Sequence, residues 1–310
     1  MRARTAMLAG FAGVATTAGF EYQRARRAAG SWQRPAGEHQ HAGALAVRTL
    51  GDTGSPILLL HGLVASGIFW GGAYDRLAGS HRLVVPDLLG FGGSDRPNSP
   101  YGPDDHVAAL VECLDALGVH EPVAIGAHSL GCLVGLRMAA THPGRVTSVV
   151  GFGPPIYRSR AEARSRIGAS GPMARLFALP GPMGEIACDW VCEHRPLAAR
   201  LARLSHPRLP GPIAAAAVEH NWASYSRTLT RVILDAEAAD WLAKIEAPVQ
   251  LVAGSRDRVV DRKLLTRLAS RPGIALQIWS GRHDLPLVEA KRCGAAIVHA
   301  LETAMPTSRG

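Results

Sequence analysis

The chain has 310 residues, of which 47% are hydrophobic and 19% charged. That length supports one core of ordinary size with room for an insertion, and no run reaches the roughly 18 apolar residues of a membrane-spanning helix. The formal net charge of +9 is almost all arginine, the lysines being Lys244, Lys263 and Lys291; with no nucleic-acid motif and no long block of like charge, nucleic acid is not an expected partner.

Residues 1–41 read as an N-terminal segment and linker. An apolar, small-residue stretch at 6–20 (AMLAGFAGVATTAGF) is flanked by Arg2, Arg4, Arg24, Arg26 and Arg27. It has no convincing cleavage site, and it reads either as a weak membrane anchor or as a docked helix. Residues 31–41 (SWQRPAGEHQH) read as a polar linker. GALAVRTLG (43–51) predicts an opening strand or hairpin. PILLLHG (56–62) and HRLVVPD (81–87) are near-continuous apolar runs, as buried strands require. DDHVAALVECLDALGV (104–119) carries Val107, Leu110, Val111, Leu114 and Leu117 on one helical face, with Asp104 or Asp105 available to cap it. A strand at 122–127, a helix at 130–143 and a strand at 145–153 follow. After residue 240 come strands at 248–255 and 274–280, a helix at 261–270 between them, and a final helix at 285–304.

Strands buried on both faces and joined by helices predict an α/β protein with a mostly parallel, doubly wound sheet. The exception is 154–240, where helical pieces are punctuated by proline and glycine. This stretch is expected to be an inserted helical cap on a core made of 42–153 and 241–304. Its Trp190, Trp222, Phe177, Met173 and Met183 are candidates for an apolar pocket lining. The five cysteines, Cys113, Cys132, Cys188, Cys192 and Cys293, fit no zinc spacing and read as free thiols of a reducing, cytoplasmic compartment.

The stretch GAHSLG (126–131) carries the chemistry. It puts Ser129 where a buried strand turns directly into a helix, at the carboxyl edge of the expected sheet. In that setting the hydroxyl faces the crevice and the helix N-terminus aims N–H groups at any anion formed there. The string departs from G-x-S-x-G at Ala127 and keeps Gly131. A serine hydroxyl needs a base, and the base needs orientation. Asp257 lies just past the strand ending in LVAG, and His283 just past the one ending in QIWS. The order Ser129, Asp257, His283 is the one such an elbow requires. Asp261 reads as a helix N-cap, and Asp284 points away from its neighbour His283. Oxyanion donors are expected from the N–H of Leu130 and, in the loop HGLVAS, from the N–H of Leu63, with Val64 behind it. His61 and His128 read as packing residues; Val64, His128 and Trp222 are the candidates for substrate contact.

Taken together, HGLVASGIFW, PDLLGFGGSDRP, GAHSLGC, AGSRDRVV and SGRHDLPL resemble the α/β-hydrolase superfamily over about residues 43–304. PDLLGFGGSDRP is similar to a loop of the epoxide hydrolase and haloalkane dehalogenase branch, whose elbow carries aspartate rather than serine. The resemblance implies a Ser–Asp–His hydrolase with an eight-stranded-type sheet and a cap between strands six and seven. The expected activity is hydrolysis of a small ester, lactone or thioester through an acyl-enzyme, needing no metal and no cofactor. Carbon–carbon bond hydrolysis on the same three residues and a non-catalytic binding role stay open. So do the substrate, the oligomeric state and a weak membrane association through 6–20.

Overall fold

The computed structural model describes residues 22–169, 182–206 and 208–304. Eight strands form one sheet in the order β1-β2-β4-β3-β5-β6-β7-β8. They are β1 (Glu38–Ala42), β2 (Leu45–Leu50), β3 (Pro56–Leu60), β4 (Arg82–Pro86), β5 (Val123–His128), β6 (Val146–Phe152), β7 (Val249–Gly254) and β8 (Ile274–Trp279). β1 and β2 pair antiparallel, β2 pairs antiparallel with β4, and every later pairing is parallel. The expected fold class, a mostly parallel α/β sheet, is the observed one.

The central strands are apolar on both faces because helices cover both. Leu58 and Leu60 of β3 join one buried cluster, and the alternate Ile57 and Leu59 join the other. On the first side pack α1 (Pro103–Ala116) and α2 (Leu130–Thr141). On the second lies the C-terminal helix Ala290–Ala304, through Cys293, Ile297 and Leu301. The start of α1 is closed by Asp105, whose carboxylate accepts the Gly102 N–H at 2.7 Å, with Pro103 in the first turn. Asp104 instead pairs with Arg137 on α2.

Two features depart from the sequence reading, and one lies where it assigned no element. Glu38–Ala42, read as linker, is strand β1; its solvent-facing EHQH has no apolar signal because it is an edge. Between β3 and β4 the chain winds into two 3₁₀ turns, Gly67–Trp70 and Gly72–Gly79. The final helix is interrupted at Glu289, giving Leu285–Val288 and Ala290–Ala304.

Between β6 and β7 the described chain is helical: α3 (Arg160–Gly168), α4 (Pro182–Glu193), α5 (Arg195–Ser205), α6 (Gly211–Ala216), α7 (Trp222–Thr228), a π-helical turn Leu229–Leu234 and α8 (Ala238–Leu242). The last of these returns to the core, where Trp241 lies under the Arg137 guanidinium at 5.5 Å.

The segment ahead of β1 is fastened down. Residues 22–31 are helical. Trp32 is pressed against Gly71, where an added Cβ would come within 2.3 Å of the indole Nε1. The Gly72 N–H donates to Gln33 O at 2.8 Å, and the Ala36 N–H to the Asp75 carboxylate at 2.7 Å. Arg48, buried on β2, donates to both Asp75 (2.9 Å) and Ala36 O (2.8 Å). Removing Asp75 strands the Arg48 guanidinium in a buried site. Asp75→Ala is therefore expected to cost about 3 kcal/mol in urea unfolding, and Arg48→Met/Asp75→Leu much less than either single change.

Candidate active site

Ser129 sits at the bend between β5 and α2 with φ 52 and ψ −117. A side-chain-bearing residue rarely adopts that region, so neighbours must hold it there. Its N–H donates to Phe152 O on the adjacent strand at 3.0 Å, and its carbonyl accepts the Cys132 N–H at 2.9 Å. Two residues on, Gly131 lets the helix close down on β3: an added Cβ would stand 2.6 Å from Leu60 O and 2.7 Å from His61 O. Ala127, on the other side of the serine, fits as a fully buried residue of β5. Of the two glycines in GAHSLG, Gly131 is the one closed against backbone, while a Cβ on Gly126 would meet the Ile297 side chain at 2.4 Å.

The structure brings the three separated side chains together. Ser129 Oγ is 3.0 Å from His283 Nε2, and His283 Nδ1 is 2.7 Å from Asp257 Oδ2. Asp257 follows β7, and His283 follows β8. The two loops are stitched by backbone bonds from Ser255 N–H to Trp279 O (2.7 Å) and from Arg256 N–H to Gly281 O (2.9 Å). Burial pushes the Asp257 carboxyl up, but His283 and the Val259 N–H (2.8 Å) outweigh it, so its pKa lies below the usual carboxylate value. The carboxylate is thus ionised and accepts a hydrogen bond from the Nδ1–H, which leaves the Nε2 lone pair facing the serine. Asp261 caps the helix Arg262–Leu268, accepting the N–H groups of Lys263 and Leu264.

Gly62 lies against the elbow, where an added Cβ would stand 3.2 Å from Ser129 Cβ and 3.1 Å from His128 Nδ1. The N–H of Leu63 follows directly, and that of Leu130 opens α2. Neither donates any of the described loop and cap bonds. Val64 next to Leu63 has φ 51, a strained conformation for a β-branched side chain. Two anchors hold it. On one side His61, fully buried, accepts the Leu88 N–H at Nε2 (2.8 Å) and donates from Nδ1 to Gly62 O (2.8 Å). On the other, Asp87 accepts the N–H groups of Gly67 (2.5 Å) and Gly93 (2.7 Å).

His128 lies behind the site, 8% exposed and stacked on Phe69 with centroids 4.6 Å apart. Its Nε2 donates to the His283 carbonyl at 2.9 Å, so it supports the loop that carries the imidazole. Trp222 packs beside Tyr225 and the core; among the described residues it has no ring or hydrogen-bond contact with Ser129 or His283. Trp190 and Met183 of α4 turn to solvent instead of lining a pocket; Met173 and Phe177 fall outside the described residues. Sequence reading missed Asp87 and Gly153. Gly153, at φ +64 just past β6, leaves room for the relay: an added Cβ would stand 2.9 Å from both Cε1 and Nδ1 of His283. Only its place in GFGPP, at a strand's carboxyl end, signalled it.

Comparison with known proteins bears on the fold. Residues 55–166 match the family model described as alpha/beta hydrolase fold. The chain is 32% identical over 108 residues to a protein of Arabidopsis thaliana named probable lysophospholipase BODYGUARD 2, a match covering 33% of this chain and 23% of that protein. It is 27% identical over 247 residues to lipase 3 of Moraxella sp., covering 77% of this chain and 74% of the lipase. The chain therefore spans about a quarter of the plant relative but most of the bacterial one. Among solved structures, an E-2-(acetamidomethylene)succinate hydrolase superposes with TM-score 0.68 at 17% identity, covering 86% of this chain and 99% of that one. The esterase RhEst1 of Rhodococcus sp. superposes with TM-score 0.64 at 23% identity, covering 84% and 95%. Residues 55–166 thus match the α/β-hydrolase family, and the mostly parallel eight-stranded sheet has the same fold as these neighbours.

Two predictions follow from these contacts. Gly153→Ala should displace the imidazole, lowering kcat/KM for any ester turned over by about 10²-fold in a protein that still folds by circular dichroism. The second concerns acid stability. Burial lowers the pKa of His61, and brings those of His106 and His128 to about 3. In the unfolded chain each titrates near 6.5, so their contribution is complete above that pH and is lost as pH falls from there toward about 3. Between pH 6.5 and 5 the unfolding free energy should drop by about 2 kcal/mol for each of His106 and His128. Urea titrations across that range test this, and His106→Phe should remove one share of the slope.

Proposed function

We propose that this protein is a serine hydrolase that cleaves a carboxylic ester through an acyl-enzyme. The observation that carries the reading is the continuous path from Ser129 Oγ to His283 Nε2 (3.0 Å) and from His283 Nδ1 to buried Asp257 (2.7 Å). A hydrolase is also what its superfamily and its lipase and lysophospholipase relatives support.

In this mechanism His283 takes the hydroxyl proton as Ser129 Oγ forms a bond to the ester carbonyl carbon. The electron pair of the C=O moves to oxygen. In this reading the N–H groups of Leu130 and Leu63 hold that oxyanion. The C–O bond to the alcohol then breaks, and His283 Nε2–H delivers its proton to the leaving oxygen. Water repeats the sequence: His283 removes its proton, the acid is released, and Ser129 regains its hydrogen. Asp257 keeps the imidazole in the productive tautomer and stabilises its cation. The reaction draws on no metal or cofactor. The relatives' names favour an acyl ester of a lipid or a small alcohol over a carbon–carbon substrate.

A fluorophosphonate probe is expected to label wild type at Ser129 and to leave Ser129→Ala unlabelled. On a panel of p-nitrophenyl esters of graded acyl length, Asp257→Asn should lower kcat by about 10⁴-fold. Equal hydrolysis by wild type and Ser129→Ala would refute the reading.

A further inference from the structure

We infer that Arg166, with Arg158 beside it, is a positioning residue: from the first helix of the insertion it holds the downstream half of the loop that carries Asp257. That loop runs from Ser255, just past β7, to Asp261, where the helix Arg262–Leu268 begins. Its upstream half is fastened to the core. The N–H groups of Ser255 and Arg256 donate to Trp279 O and Gly281 O, and that of Asp257 donates to Gly254 O at 3.1 Å. The Asp257 side chain gives Oδ2 to His283 and turns Oδ1 downstream, where it accepts the Val259 N–H at 2.8 Å. The set of the carboxylate therefore depends on where residues 259–261 lie.

Those residues are gripped from α3. Arg166 donates from Nη1 to Val260 O at 3.1 Å, and its Nη2 stands 3.6 Å from Asp261 Oδ1. Arg158 Nη2 is 3.1 Å from the other oxygen, Asp261 Oδ2. The Asp261 side chain is only 4% exposed, and its Oδ1 also accepts the N–H groups of Lys263 and Leu264. One buried carboxylate thus joins the insertion to the helix that follows the acid loop. α3 presets the grip. Ser159 Oγ accepts the Glu162 N–H at 3.2 Å and Glu162 Oε2 accepts the Arg158 N–H at 3.1 Å, which fixes the start of the helix. One turn on, Glu162 Oε1 accepts Arg166 Nε at 2.9 Å, leaving the two terminal nitrogens for the loop. Ala163 of this helix and Val260 of the loop are buried in the same apolar cluster. Two arginines face two carboxylates, so the group is internally neutral and serves to hold backbone rather than to attract an anion. The Tyr157 hydroxyl, buried with no hydrogen-bond partner among the described residues, ties the grip to the acid. Burial and then the Asp257 carboxylate push its pKa up, and Arg166 opposes them. One interior point therefore feels both charges. The placement of the acid is in this way conditional on the insertion being seated.

The inference rests on the proposed serine mechanism, and two readouts separate their failures. Arg166→Met keeps the stem and removes every donor. It should fold with a melting temperature near that of wild type and lower kcat on the best ester by about tenfold, with KM changed by less than about twofold. Arg166→Lys, which returns a charge and donors, should stay within about threefold of wild type. In the Asp257→Asn background, Arg166→Met should cost less than about twofold, because no carboxylate is left to place. Equal losses in both backgrounds, or a loss confined to KM, would overturn the inference, since a residue that merely fastens the insertion acts the same with or without the acid. The second readout needs no substrate: the far-downfield proton resonance of His283 Nδ1–H bonded to Asp257. It should be sharp in wild type, lost in Asp257→Asn, broadened in Arg166→Met and regained in Arg166→Lys. A resonance as sharp in Arg166→Met as in wild type overturns the inference even if the protein hydrolyses esters. The expected pattern in a protein that hydrolyses none would keep the positioning role and overturn the mechanism.

Discussion

The left-handed backbone of Ser129 is the constraint on which the rest of the site depends. Relaxed into an ordinary turn, this residue would swing its hydroxyl away from the sheet edge. It is held by the hydrogen bond to Phe152 O and by the closeness of α2 to β3, which Gly131 permits. Strain of this kind costs on the order of 1–3 kcal/mol and persists only where surrounding structure over-determines it. The buried parallel strands on both sides of β5 supply that rigidity. A second strained residue, Val64, sits one position past the expected oxyanion donor, between the His61 and Asp87 anchors. Both bends lie at the carboxyl edge of the sheet and both are fixed by backbone-directed bonds, so the site is stiff before any substrate arrives.

Electrostatics around this frame divide into two kinds. One carboxylate, Asp257, is buried yet ionised because it faces an imidazole and a backbone N–H. By contrast, His61, His106 and His128 are buried and neutral, each held by burial below its ordinary pKa. His61 and His128 use their ring nitrogens to fasten loops, one behind the oxyanion side and one behind His283. Keeping them uncharged avoids a second cation beside the His283 imidazolium that the proposed mechanism forms in passing.

The helical insertion has a different character. Its later helices anchor it in the core through Tyr225, Leu229, Val232, Ile233 and Trp241, whereas α4 and α5 turn small residues inward and Arg195 donates to the carbonyls of Val218 and His220. Its bulky apolar side chains on α4 and α5 face outward. The N-terminal helical segment lies between the insertion and the His283 loop.

Much was legible in the amino-acid sequence. Runs such as PILLL and HRLVVP announced strands buried on both faces, because only helices on each side remove such surface from water. GAHSLG located the bend, and the succession Ser129, Asp257, His283 at three strand ends named the side chains that meet. What one-dimensional pattern leaves undetermined is which surfaces touch. EHQH is polar because it is a sheet edge, and no periodicity separates that from a linker. Gly153 and His283 are far apart in the chain, so only the packing of β6 beside β7 and β8 shows that the glycine makes room for the ring. The pattern of Met183, Ile186 and Trp190 specifies an apolar arc but not its direction. Folding turned that arc to solvent and buried Gly184 and Cys188 on the other side of the helix.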